Sequence, residues 1–432
     1  MPVRNTQRIG LWYGDVAAIR HLALWRQLRV PAVASLLVAI ALTLIRARDQ
    51  PGASLSLGST TVTIVPGDVA LAVLFVVSLV TVARNGMPRT LRPALWSGLA
   101  FAVLVVVTGA SNGTTTFVSS VKLAELAVLA LGAALLVRTT DRLEAVVDML
   151  LLFTVVADVV GLVKFVTGGG GRQSSFLGEH DFAALATLPL LYGLVLVFQR
   201  KRSARAAVAI VAGGVGCTLG AALASLLGLY LGALVLLVIV AARRALSVLP
   251  VVVLALTLGL VTAGTLTLRS GDLGFLQSWF GKPESRPGQY AASWSQRLIY
   301  TYIEGRIFLA HPVLGVGWYP NLPPKEFERY LPAAKKRFSD QPPRYFPPPT
   351  HDMPPQQAFD QVAAELGVVG LAAFLALLVS VGRIARRAAL PAAWFAATVG
   401  AIAGAALFGG TPLTATFWLV TGLCITIGTW QG

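Results

Sequence analysis

The chain has 432 residues, of which 56% are hydrophobic and only 12% charged, and its mean hydropathy is +0.73. That balance lies outside the range of water-soluble domains and points to a polytopic membrane protein. A formal net charge of +16 would suggest nucleic acid in a soluble chain, but most of the lysines and arginines fall in connections between apolar runs, where they report membrane orientation instead.

Residues 1–28 carry Arg4, Arg8, Arg20 and Arg26 among leucine, tryptophan and alanine, the pattern of a basic amphipathic segment lying at a membrane surface. The apolar run that follows is long enough to span and has no small-residue cleavage site after it, so no cleavable signal is expected. Residues 29–266 are expected to hold transmembrane helices 1–9, on runs at about 29–46, 67–83, 92–109, 117–137, 144–166, 182–198, 204–219, 221–242 and 247–266. Glycines 213, 214, 216 and 220 mark the boundary near Leu219 as a place where a helix can break. A long polar loop occupies 267–357, and 358–432 is expected to hold transmembrane helices 10–12, on runs at about 358–381, 389–408 and 411–429. The expected fold is therefore all-α, with about 12 transmembrane helices and a long extracytoplasmic loop containing short helices.

Orientation follows from the short connections. RNGMPRTLR, RTTDR, QRKRSAR, ARR and RIARR recur on alternate ones, whereas GASNGTTT and FGGTP between them carry no charge. The positive-inside rule then puts both termini in the cytoplasm and puts TGGGGRQSSFLGEHD and the long loop on the outer face.

Within the long loop, SWSQRLIYTYIEGRIF has helical periodicity. Trp294, Leu298 and Tyr302 fall on one apolar stripe, and Ser293, Arg297, Thr301 and Glu304 on another face. HPVLGVG ends that helix and turns tightly. From Trp318 to Phe346, aromatics interleave with Lys325, Arg329, Lys335, Lys336, Arg337 and Arg344, which suits either an interfacial anchor or a surface holding an anionic substrate. PPPTHDMPPQQ is extended by its prolines and leads into a helix on which Gln361 and Glu365 share a face. In the earlier outer loop, Arg172 follows four glycines, and Glu179, His180 and Asp181 cluster before the next span. No strand precedes that glycine run and no Gly-Lys-Ser follows it, which argues against a P-loop. Lys122 and Glu125, three apart, are placed to neutralise one another within a span, and Asp158 has no evident partner.

The chemistry available is narrow. Cys217 and Cys424 sit inside apolar runs and the four histidines are scattered, so neither a disulfide framework nor a metal-ligand spacing is present. What remains is outward arginines beside a histidine in a proline-fixed loop. A guanidinium fork suits a diphosphate, and a histidine titrates near neutrality. The set fits a transfer reaction that releases a lipid diphosphate, and it equally fits a lipid-linked glycan transporter or flippase.

RLIYTYIEGRIFLAHPVLGVGW, followed after a loop by a histidine and QVAAELGVVGL entering a span, resembles the O-antigen ligase and O-antigen polymerase family. RQSSFLGEHDFAA resembles that family's other outer-loop signature. The resemblance implies a C-type glycosyltransferase-like (GT-C-like) membrane fold in a bacterial inner membrane. It implies an enzyme that moves a glycan from an undecaprenyl-diphosphate-linked donor to a hydroxyl of a glycan or lipid-glycan acceptor on the outer face, with no metal, other cofactor or nucleic acid. Carried over by position, Arg172 and Arg297 match the diphosphate-binding arginines and His351 the catalytic histidine, while Glu365 and Gly367 match the Glu-x-Gly opening the next span. His180, Arg306 and Gln356 are supporting candidates. The family holds its histidine closer to that glutamate, where this chain has Gln356-Gln357. Glutamine cannot act as a base, so His351 is taken for the role, with His180 as the fallback.

Overall fold

The computed structural model describes residues 23–57, 60–168, 170–199, 203–242, 246–269, 289–348, 357–387 and 414–428. A short helix α1 (Ala23–Gln27) leads into α2 (Pro31–Leu44), and an antiparallel hairpin of β1 (Ala53–Leu57) and β2 (Thr60–Ile64) follows, with Ala53 opposite Ile64. Then come α3 (Pro66–Asn85), α4 (Arg92–Ser111), α5 (Thr114–Leu136), α6 (Thr140–Thr167), α7 (Glu179–Phe198), α8 (Ala204–Gly220), α9 (Leu223–Ala242) and α10 (Val248–Leu268). The long loop contributes α11 (Gln289–Ala310) and α12 (Pro324–Arg337), before α13 (Ala358–Arg387) and α14 (Ala415–Gly428).

Among the described residues, eight helices are long and apolar enough to cross a membrane: α3 to α7, α9, α10 and α13. α2, α8 and α14 are apolar but shorter. The run at 389–408 and the segment 1–22 lie outside the described residues. Local signals set the helix starts. Pro31 and Pro66 occupy first-turn positions where no amide donor is needed, Thr139 and Ser203 cap α6 and α8, and the Asp68 carboxylate accepts the Val65 amide at 2.9 Å.

Apolar side chains alone do not draw helices together in lipid, so the close crossings are made by small residues. A Cβ added to Gly213 of α8 would lie 2.6 Å from Cβ of Leu190 on α7, and one on Gly422 of α14 would lie 2.4 Å from the Ala130 carbonyl oxygen of α5. Where α4, α13 and α14 meet, Phe101, Phe374, Phe417 and Trp418 stack with ring centroids 5.3–6.5 Å apart. Lys122 makes its close ion pair with Asp68, not with Glu125, although its charge still acts on the Glu125 carboxyl. Its ammonium reaches across to α3 and pairs with Asp68 at 2.7 Å while donating to the Thr63 carbonyl, which ties the hairpin to the bundle.

A second, smaller core sits at one end of the bundle, at the same end as the hairpin and the 168–178 connection. There Ile299, Tyr300, Ile303 and Ile307 of α11 pack on Phe327 and Ala334 of α12 and on Tyr345 and Phe346. The apolar stripe is thus one position away from the expected one: Leu298 is 57% exposed and Ile299 fully buried, and Tyr300 meets Phe327 edge-on at 5.9 Å. The apolar face of α12 packs against α11, and its lysines and arginines face outward.

Candidate functional site

Two arginines from distant parts of the chain, Arg172 and Arg269, meet where α8 gives way to α9, and Arg297 lies within electrostatic reach of Arg269. The link is forced there: α8 ends at Gly220, and Ala221 takes a left-handed conformation (φ 42°) that exposes successive carbonyls. Arg172 donates through Nε to the Gly220 carbonyl at 3.4 Å, and the neighbouring Gln173 amide donates to Leu219 at 2.9 Å. Arg269, only 5% exposed, donates to the Ala221 carbonyl at 2.5 Å. Arg297 comes from α11. Burial pulls its guanidinium below the ordinary arginine value, and the positive charge of Arg269 adds to the effect. Its Nε is buried and finds no hydrogen-bond partner among the described residues. Gathering like charges in a buried place is costly unless an anion joins them, and a guanidinium cluster on backbone carbonyls is suited to a phosphate group.

The loop bearing Arg172 is held from both sides. Gly170, Gly171 and Gly178 take positive φ, which lets the chain reverse. Ser175 donates to the Ala157 carbonyl at 2.7 Å, and Lys164 donates to the Ser175 carbonyl. From the connection just after α2, Arg46 donates through Nε to the Leu177 carbonyl.

On α11 the spacing of Arg297, Thr301 and Glu304 puts all three on one face, as the sequence suggests, and that face meets α13. Thr301 donates to Asp360 at 2.7 Å. Glu304 is buried, which raises its carboxyl well above the ordinary value, and the charges of Asp360 and Glu365 push the same way.

HPVLGVG and the Glu-x-Gly of α13 interlock. Gly367 breaks α13 with φ 63° and ψ −162°, which frees backbone groups that the loop takes up. Val316 donates to Ala364 and Gly317 to Glu365, while Val368 donates to Pro312 and Val369 to Val313, at 2.8–3.2 Å. A Cβ on Gly315 would lie 2.2 Å from the Glu365 carbonyl carbon, and one on Gly367 2.4 Å from that of Val313, so both positions require glycine. The Glu365 carboxylate accepts the Tyr319 amide at 2.8 Å and the Gln361 side chain at 3.3 Å. Asn112, at the end of α4, donates to the carbonyls of Val316 and Trp318 and pins the turn to the bundle.

Arg269 stands between the two expected arginines, sharing the α8–α9 link with Arg172 and acting on Arg297 through its charge; it does not stand out in the sequence because it directly follows an apolar run and looks like a loop border. Glu365 is buried in the interlock, where it accepts from the Tyr319 amide and the Gln361 side chain. Arg306 is exposed on the face of α11 opposite Arg297, 6.0 Å from the Tyr302 ring. His180 is exposed at the start of α7. His351 and Gln356 lie outside the described residues. Asp158 sits beneath the Arg172 loop, with its Oδ1 buried and unpartnered among the described residues and facing Gly216.

A family model described as O-Antigen ligase matches residues 206–375, which span α8 to the middle of α13 and include Arg269, Arg297 and the interlock. No curated protein matches the chain.

Proposed function

With the chain carrying the domain of the O-antigen ligase and polymerase family over residues 206–375, we infer that it transfers a glycan from a lipid diphosphate to an acceptor hydroxyl at the loop end of the bundle. The observation that carries this reading is the anchoring of Arg172 and Arg269 on the α8–α9 link, with the buried Arg297 close enough to Arg269 to feel its charge. The donor is an undecaprenyl-diphosphate-linked glycan, and the reaction follows a GT-C-like course in which the departing diphosphate is the group that gains charge. Guanidinium donors fixed in advance on backbone carbonyls stabilise that charge without reorganising at the moment of transfer. His351 takes the proton from the acceptor hydroxyl.

In orientation, the loop end faces outward and the termini lie in the cytoplasm of a bacterial inner-membrane protein. Arg84, Arg89, Arg92, Arg138, Arg142 and Arg205, all at the opposite end of the described helices, support this sidedness. The test is reconstitution in liposomes with a lipid-diphosphate oligosaccharide and candidate acceptors. Free lipid diphosphate together with a glycan ladder identifies a polymerase, and release with one transferred unit identifies a ligase. Movement of the intact lipid-glycan between leaflets with no release contradicts transfer and favours a transporter.

A further inference from the structure

Beside the arginine cluster, on the other side of the 171–178 loop, the ends of α2, α3, α5, α7 and α14 line a half-open cavity of about 270 Å³. Arg46, Asp68, Lys122, Glu125 and Asp181 stand on its wall, and Leu177 closes one side. Not all of these groups are available to a ligand. Lys122 and Asp68 are spent on each other, and the Nε of Arg46 is fixed on the Leu177 carbonyl. The carboxyl groups of Glu125 and Asp181 accept no hydrogen bond from any described residue. The cavity thus presents open acceptors beside an anchored guanidinium, and its volume is just below the size range of drug-sized ligand pockets, enough for a single small ring.

We propose that this cavity is a saccharide subsite, in which Glu125 and Asp181 accept hydrogen bonds from sugar hydroxyls and Arg46 donates to a ring or hydroxyl oxygen. Carboxylates and a guanidinium are complementary to vicinal hydroxyls, which both donate and accept. Acids outnumber cations on the wall by three to two, so a neutral or amino sugar fits and an acidic sugar is disfavoured. Its place follows from the loop that divides it from the arginines. Arg172 at one end of that loop reaches the α8–α9 link, and Leu177 near the other end closes the cavity, so a glycan and its diphosphate can lie on either side of one short segment. The assignment rests on the glycan-transfer reading for the class of its ligand.

The test measures binding, not turnover. Methyl glycosides of glucose, galactose, N-acetylglucosamine and glucuronic acid are titrated onto the full chain in nanodiscs and followed by saturation-transfer NMR. A neutral or N-acetylated glycoside is expected to bind, with Kd at least about tenfold weaker in Glu125→Gln combined with Asp181→Asn and unchanged in Arg329→Ala on α12 (a tenfold change corresponds to about 1.4 kcal/mol). Glu125→Gln alone, nearly isosteric, serves if the double variant does not fold. Prior loading with the lipid-diphosphate oligosaccharide abolishes glycoside binding if the subsite holds the donor sugar and leaves it intact if it holds the acceptor. Absence of binding by any glycoside, a preference for glucuronide, or affinities unchanged in the cavity variants overturns the proposal. Glycoside binding without any release of lipid diphosphate would instead refute the transfer reading while leaving the cavity assignment standing.

Discussion

Two kinds of charged residue surround the site, and they do different work. Arg172 and Arg297 stand out in the sequence because a charge in so apolar a chain is rare and needs a reason. Arg269 does not stand out, since its partners are backbone carbonyls created by the break after Gly220 and no residue pattern announces them. Glu304 was assigned only to a face of α11, and its burial against α13 became visible only when the two helices were placed. Its raised carboxyl has a consequence for stability. Below the ordinary value of 4.5 the group is protonated both folded and unfolded, and its stabilising contribution is fully present. As pH rises, the unfolded chain gives up the proton first, and that contribution is lost through the window up to the raised folded value. The thermal midpoint of the purified protein is therefore expected to fall as pH rises above about 4.5, and Glu304→Gln should flatten that dependence and raise the midpoint at neutral pH. Glu365 is the contrasting case. Glu365→Ala removes a buried carboxyl and leaves the half-buried Tyr319 amide without its acceptor, and is expected to cost about 1–3 kcal/mol, read as a lowered midpoint in thermal scans.

At the scale of elements, the turn at HPVLGVG and the helix over α11 follow from proline, glycine and helical periodicity, and both are present. The buried stripe of α11 was misplaced by one position because an amphipathic helix with apolar residues on several sides does not say which neighbour it will meet, and α12 supplied that neighbour. The interlock between HPVLGVG and Gly367 was beyond local reasoning, since each half looks complete until the other supplies its hydrogen bonds. Glycine substitutions separate these roles. Gly315→Ala and Gly367→Ala force a Cβ into backbone at positive φ, and each is expected to cost about 1–3 kcal/mol or more and to lower the yield of folded protein. Gly305→Ala, on the exposed face of α11 with nothing within 4 Å, is expected to be neutral or to stabilise by about 0.5–1 kcal/mol, and the two sets are compared by melting in detergent.

For the molecule as a whole, hydropathy places the helices well, since eleven of the expected apolar runs are helices in the described residues. It does not place them relative to one another, which in lipid depends on small residues such as Gly213 and Gly422. The sidedness inferred from the basic connections is open to direct labelling. Both native cysteines are buried, so a cysteine introduced at Ser54 in the exposed hairpin should react with a membrane-impermeant maleimide on intact cells, and one introduced at Arg89 should react only after lysis; the reverse pattern would invert the topology. All of this leads to one claim, that the three arginines hold the diphosphate whose departure drives transfer. The most direct measurement is the initial rate of lipid-diphosphate release by the reconstituted Arg297→Ala protein, with folding verified by its melting curve. A fall of about 10²–10³-fold, as for loss of one fixed donor to a developing oxyanion, is the predicted result. A folded variant that releases lipid diphosphate at the wild-type rate would contradict the account.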